Sequence, residues 1–115
     1  MVCAVSLVGQ WIEEARAKLA GGSDLRIHMY HGAARNRCSE TLATEFDLVV
    51  TTYATLAADR FDKVGGGDGP LHAVEWRRVI LDESHTIKGD NHHSSACKQL
   101  SAQRRWCARA PAAVL

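Results

Sequence analysis

The segment Trp76-Arg77-Arg78-Val79-Ile80-Leu81-Asp82-Glu83-Ser84-His85 carries the clearest fold signal in the sequence. Val79-Ile80-Leu81 is an apolar run without alternation, the pattern of a strand covered on both faces, as parallel sheets require. The run stops on two adjacent carboxylates, at the tip of a buried strand, where the backbone emerges toward a ligand. Two readings fit such a pair. In nucleotide hydrolysis the first carboxylate holds Mg²⁺, usually through its waters, and the second orients or deprotonates the attacking water, with His85 placed to sense the reaction. Alternatively, Asp-Glu after a strand simply starts a turn or caps the next helix. Taken alone, the pair fits the capping role better; His85 and Lys88 shift the balance toward chemistry.

Working outward, the sequence alternates strand and helix signals. A mostly apolar run predicts a strand over 2–7. It is followed by Val8, Trp11, Ile12, Ala15 and Leu19 at helical spacing, with Gly21-Gly22 as the stop. Leu25, Ile27 and Met29 alternate with Arg26, His28 and Tyr30, giving a strand over 25–30. A short helix over 39–44, a strand over 47–51 containing Leu48-Val49-Val50, and a helix from Thr52 come next. Lys63-Val64-Gly65-Gly66-Gly67-Asp68-Gly69 reads as a surface insertion, because its glycines hold regular structure only at an entropic cost. The strand over 76–81 follows, then a helix over 94–102 and the start of a further strand over 104–107. This order predicts an α/β fold: a mainly parallel sheet with helices on both faces and right-handed crossovers. In such sheets ligands bind beyond the carboxyl ends of the strands, which singles out Ser6, Thr51-Thr52 and Asp82-Glu83.

At 115 residues the chain is one small domain or part of a larger one, so anything needing two full lobes is excluded. A domain of this size buries a modest fraction of its unfolded surface, and marginal stability follows. Its 14 basic and 13 acidic side chains leave a net charge of +1 and no global electrostatic footprint. Residues 70–115 carry 7 basic and 4 acidic groups, so any polyanion surface belongs toward that end. Cys3, Cys38, Cys97 and Cys107 are scattered with no Cys-x-x-Cys pair, which fits a reducing intracellular compartment better than a disulfide framework. No apolar stretch approaches the ~20 residues that span a bilayer, and residues 1–8 are too short and uncharged for a signal peptide.

Asp82-Glu83-Ser84-His85 resembles the Asp-Glu-x-His box, motif II, of superfamily 2 helicases, and Leu81 to Lys88 looks like that of the Swi/Snf family of DNA-dependent ATPases. Three further blocks agree in order and spacing. Residues 2–11, Val-Cys-Ala-Val-Ser-Leu-Val-Gly-Gln-Trp, are similar to motif Ia, which normally carries Pro where this chain has Ala4. Val49-Val50-Thr51-Thr52-Tyr53 resembles motif Ib, and Ser101 to Cys107 resembles the lead-in to motif III. His31-Gly32 with Arg35-Asn36-Arg37, and Pro70-Leu71-His72-Ala73, are similar to the branch of helicase-like transcription factor and the yeast post-replication-repair ATPases. The resemblance implies a partial RecA-like lobe over 1–107, from motif Ia to the start of motif III, with 108–115 as a divergent tail. It implies ATP and Mg²⁺ as cofactors, with Asp82 in the Mg²⁺ role, Glu83 as catalytic base and His85 coupling the nucleotide site to its neighbour. It also implies translocation on double-stranded DNA or nucleosomes, chromatin remodelling or DNA repair, a nuclear location, a second ATPase lobe as partner, and no membrane. Ser6, Thr51 and Thr52 fit a DNA-backbone role, since small hydroxyls and amides at helix starts suit phosphate oxygens, and Lys88 and Arg104-Arg105 could add phosphate contacts. Helix capping is the competing role for the hydroxyls.

The sequence also departs from the family. No Gly-x-x-x-x-Gly-Lys-Ser/Thr loop occurs in the 115 residues, and Gly65 to Gly69 lacks the Lys-Ser/Thr that would follow. After Cys107 the family continues Leu-Thr-Gly-Thr-Pro, where this chain reads Ala108-Arg109-Ala110-Pro111, the mark of a truncated product or a shifted reading frame. Without phosphate loop and arginine fingers, the latter worth roughly 10³ to 10⁵ in rate, the isolated chain is expected to hydrolyse no ATP. The alternative function is then a catalytically inactive remnant that binds DNA or protein. A third reading places a metal on His92, His93 and Cys97, of which His93 and Cys97 have helical spacing, but it lacks a convincing fourth ligand. Trp11 and Trp76 read as core packing.

Overall fold

The computed structural model describes residues 1–19, 24–60, 68–82 and 91–108. Its five strands are β1 (Val2–Cys3), β2 (Ile27–Tyr30), β3 (Leu48–Thr52), β4 (Glu75–Asp82) and β5 (Ser101–Ala108). They form one sheet in the order β2-β3-β1-β4-β5, and every neighbouring pair is parallel. The helices are α1 (Val8–Lys18), α2 (Ser39–Thr44), α3 (Tyr53–Arg60) and α4 (His92–Lys98). The parallel α/β architecture expected from the sequence is what forms.

Alternation along the central strands assigns the two faces. Cys3 and Val50 point to one side, where they cluster with Val8 and the half-buried Trp11 and Ile12 of α1. Val2, Val49, Val79 and Leu81 point to the other, against Leu56 of α3 and Ala96 of α4. The unalternating runs in β3 and β4 thus arise because helices lie over both sides of the sheet centre.

Three local readings are corrected. The first strand ends at Cys3 instead of residue 7, because Leu7 N–H donates to Ala4 O at 2.9 Å and closes a 3-10 turn over Val5–Leu7 that launches α1. In β2 the alternation does not separate a buried face from an exposed one: Tyr30 is 0% exposed in the core on the α3 side, Ile27 packs against the cluster on the α1 side, and Met29 is 50% exposed. The tyrosine ring enters the core because its hydroxyl finds a buried acceptor, Asp59 Oδ1, at 2.5 Å. The last helix starts earlier and ends earlier than residues 94–102. Asn91 caps it, accepting from Ser94 N–H at 2.8 Å. At its other end the Arg105 guanidinium donates to Cys97 O at 2.9 Å and also to Leu100 O, so that β5 begins at Ser101.

The segment before β4 is tied down by one buried carboxylate. Asp59 accepts from Tyr30 and, through Oδ2, from Leu71 N–H at 3.1 Å. Gly69 lies against the same residue so closely that a Cβ there would stand 2.0 Å from Asp59 O. Its carbonyl accepts from His72 N–H at 2.9 Å and Ala73 N–H at 3.0 Å. Residues 63–67 of the glycine-rich insertion lie outside the described residues, as do Gly21-Gly22. Among the described residues no helix is long and apolar enough to cross a membrane.

Candidate active site

The register of the sheet brings three strand ends to one level. β1 lies between β3 and β4, with Val2 opposite both Thr51 and Leu81, and Cys3 opposite Thr52. Asp82 closes β4 beside them. It is 5% exposed, and its Oδ2 accepts the Trp11 indole N–H at 2.9 Å. Its backbone carbonyl accepts the Tyr53 hydroxyl. Cys3 is fully buried on the same side of the sheet, and burial first, then the neighbouring Asp82 carboxylate, push its thiol above the usual range. Burial likewise pushes the Tyr53 hydroxyl up, so it remains a protonated donor to the Asp82 carbonyl.

The Asp82 carboxylate has the chemistry of a magnesium ligand. It is a hard oxygen donor at a strand tip, and with Oδ2 held by the indole, Oδ1 has no hydrogen-bond partner among the described residues. A single carboxylate of this kind fits Mg²⁺, which keeps most of its own waters, far better than a softer ion that demands a full protein cage. Glu83, His85 and Lys88 lie outside the described residues.

The hydroxyls chosen from the sequence occupy different environments. Ser6 is exposed in the turn before α1. Thr51 and Thr52 are each 3% exposed. Thr51 donates to Tyr30 O at 2.8 Å, while Thr52 Oγ1 accepts from Thr55 N–H at 3.1 Å and bonds Thr55 Oγ1 at 2.9 Å. The Thr52 hydroxyl therefore caps the start of α3. His31 continues this chain through Nδ1 to Thr55 Oγ1 at 2.9 Å. Arg105, considered for phosphate from sequence, is committed to the carbonyls that end α4. Arg104 is exposed on β5.

The metal reading of α4 meets a geometric obstacle. Cys97 is 2% exposed and points into the core, where burial pushes its thiol up to about 11, whereas His92 and His93 are exposed. Among the described residues no group of three or more His, Cys, Asp or Glu could hold a metal ion.

Trp11 and Tyr53, which touch Asp82, are the site residues that sequence reasoning passed over. The signal was present: a tryptophan or tyrosine that is buried still needs a partner for its polar hydrogen. What the sequence could not supply was the partner, 71 residues away from Trp11 and 29 from Tyr53.

Residues 1–110 match the SNF2-related domain. The chain belongs to this family. It is 36% identical over 107 residues to helicase-like transcription factor of Oryctolagus cuniculus, an alignment covering 92% of this chain and 10% of that protein. DNA repair protein RAD5A of Arabidopsis thaliana is 35% identical over 108 residues, covering 93% and 10%. The SWI2/SNF2 ATPase core of Sulfolobus solfataricus, solved in complex with double-stranded DNA, superposes with a TM-score of 0.72 at 28% identity, covering 96% of this chain and 20% of that one. The chain spans about a tenth of the length of the curated SNF2 relatives it matches. Within the SNF2 fold, these 115 residues correspond to a fragment of the first lobe that carries the strand ends described above.

Proposed function

We propose that this chain supplies the Mg²⁺ and water-activating side of the nucleotide site, together with part of the DNA track, in a Swi/Snf-like ATP-dependent translocase of chromatin remodelling or DNA repair. The observation that carries this reading is Asp82, a nearly buried carboxylate fixed at the tip of β4 with one oxygen held by Trp11. Mg²⁺ bound with ATP would neutralise charge developing on the transferred phosphoryl group. In this reading Asp82 would hold the ion through water, Glu83 would orient the attacking water and accept its proton, and His85 would couple the site to the neighbouring motif. Double-stranded DNA is contacted at Ser6, at the backbone around Thr51-Thr52 and at Lys88, through phosphate alone and without sequence preference. The nucleus is the compartment consistent with that substrate. The 115 residues contain no phosphate-loop pattern, so the other half of the nucleotide site must come from elsewhere.

The test is ATP turnover by the native product carrying this sequence, with and without duplex DNA. Duplex-stimulated turnover that Glu83→Gln lowers by about 10³ or more supports the reading, the size expected when a water-positioning group is lost. Duplex binding with no turnover supports the inactive binding module in its place.

A further inference from the structure

Among the described residues, two hydrogen bonds that hold Asp82 come from the segments that face DNA in the proposed function. Trp11 lies one turn into α1, directly behind the exposed turn that holds Ser6, and its indole takes the carboxylate. Tyr53 is the first residue of α3, directly after Thr52, and its hydroxyl takes the Asp82 backbone carbonyl. One segment therefore grips the side chain and the other grips the main chain of the same residue. Tyr53 is 8% exposed and Asp82 5% exposed, so the bond between them lies where little water competes and is strengthened by its surroundings, while the bond from the half-buried Trp11 is partly shielded. Hydrogen bonds weaken steeply with misalignment, so small displacements of either segment change the aim of the other Asp82 oxygen, Oδ1.

We propose that Trp11 and Tyr53 are positioning residues that carry duplex engagement at residues 5–8 and 51–53 to the Asp82 carboxylate. The inference rests on the reading of Asp82 as the magnesium ligand. Neither residue touches the nucleic acid or the nucleotide in this account. Their effect is to make the orientation of Asp82 depend on where the ends of α1 and α3 sit, so that the site is in register when duplex holds both helix starts. The wider hydroxyl chain from Thr52 through Thr55 to His31 stiffens the same α3 start and keeps Tyr53 from shifting independently of β3.

The experiment uses the native product and Trp11→Phe, which keeps the ring and removes the donor. Duplex affinity is expected to stay at the wild-type value, while the ratio of duplex-stimulated to basal turnover falls by about tenfold or more, the consequence of losing one hydrogen bond to a charged group. Tyr53→Phe is expected to act in the same direction. A second readout needs neither nucleotide nor metal: the indole ¹H–¹⁵N resonance of Trp11, assigned by its loss in Trp11→Phe, is expected to move when duplex is added. If Trp11→Phe does not fold, benzothienylalanine at position 11 removes the same N–H while keeping the bicyclic shape. A Trp11 resonance unmoved by saturating duplex, or a stimulation ratio unchanged in the variant, overturns the inference alone. Absence of any duplex-stimulated turnover in the wild-type protein overturns the proposed function, and this inference with it.

Discussion

Cys3 and Val50, in the middle of the sheet, are 0% exposed, whereas every residue of β5 from Gln103 to Cys107 is exposed, including Trp106 at 54%. The centre has helices over both faces, so its side chains are held by burial. Among the described strands β5 has a single neighbour, β4, and is held by backbone pairing and a few polar latches: Arg105 on the carbonyls that end α4, and Arg78 stacked 4.7 Å above the Trp106 ring. The two regions therefore differ in what stabilises them. Asp82 stands on their boundary, the last residue of the strand that joins them, paired with Ala108 on one side and gripped from the core side by Trp11 and Tyr53.

The largest effect that breaks the comparison is expected at Gly69. Gly69→Val places carbon where Asp59 O already stands, and the cost has nowhere to relax because Asp59 is fully buried and bonded on both carboxylate oxygens. A loss of about 3 kcal/mol is expected from overpacking of this kind, read as a lowered denaturant midpoint for the whole cooperative unit. An unchanged midpoint would show that the turn before β4 is not part of that unit.

Arg105→Met sharpens the contrast. It keeps the stem and removes the donors to Cys97 O and Leu100 O, and is expected to cost about 1 to 2 kcal/mol. Amide exchange should accelerate in β5 and at the end of α4 while β1 and β3 stay protected. Equal acceleration in all strands would mean that edge and centre open together.

How much of this was legible in the sequence differs between the same regions. β3 and β4 could be read because an unalternating apolar run has one comfortable place, the middle of a parallel sheet, and Asp82 could be read because it ends such a run. β1 was overextended, since Val5 is apolar yet 63% exposed in a turn. In β2 the alternation did not show which side chains are buried, because a tyrosine bonded to a buried aspartate looks polar until the aspartate is found 29 residues later. The early end of α4 depends on a guanidinium from the following strand, and no residue at 99–100 announces it. For Tyr30 the missing information was a partner 29 residues away, whereas for β1 it was a local turn between Ala4 and Leu7 and for α4 a guanidinium from the next strand.

The smallest expected effect concerns His28, at the other sheet edge. Its ring stacks on Phe46 at 4.7 Å, and Nε2 accepts from Asn36 N–H at 3.0 Å. Burial lowers its pKa below the ordinary 6.5, so the neutral ring is the form the fold prefers. Its contribution is therefore present above the unfolded pKa and lost as pH falls below it. Thermal melts between pH 7 and 5 should show a shallow decline that His28→Gln flattens; an unaltered slope in the variant would assign the decline to other groups.

The proposed function stands or falls on Asp82 as the magnesium ligand of this lobe. The most direct measurement is Mn²⁺ binding, by electron paramagnetic resonance, to the native product saturated with a non-hydrolysable ATP analogue, compared between wild type and Asp82→Asn. One bound ion is expected in the wild type and a loss of affinity of about tenfold or more in the variant, because an amide would replace the carboxylate oxygen that, in the proposed function, anchors the hydrated ion. Equal Mn²⁺ affinity in the two proteins would contradict it.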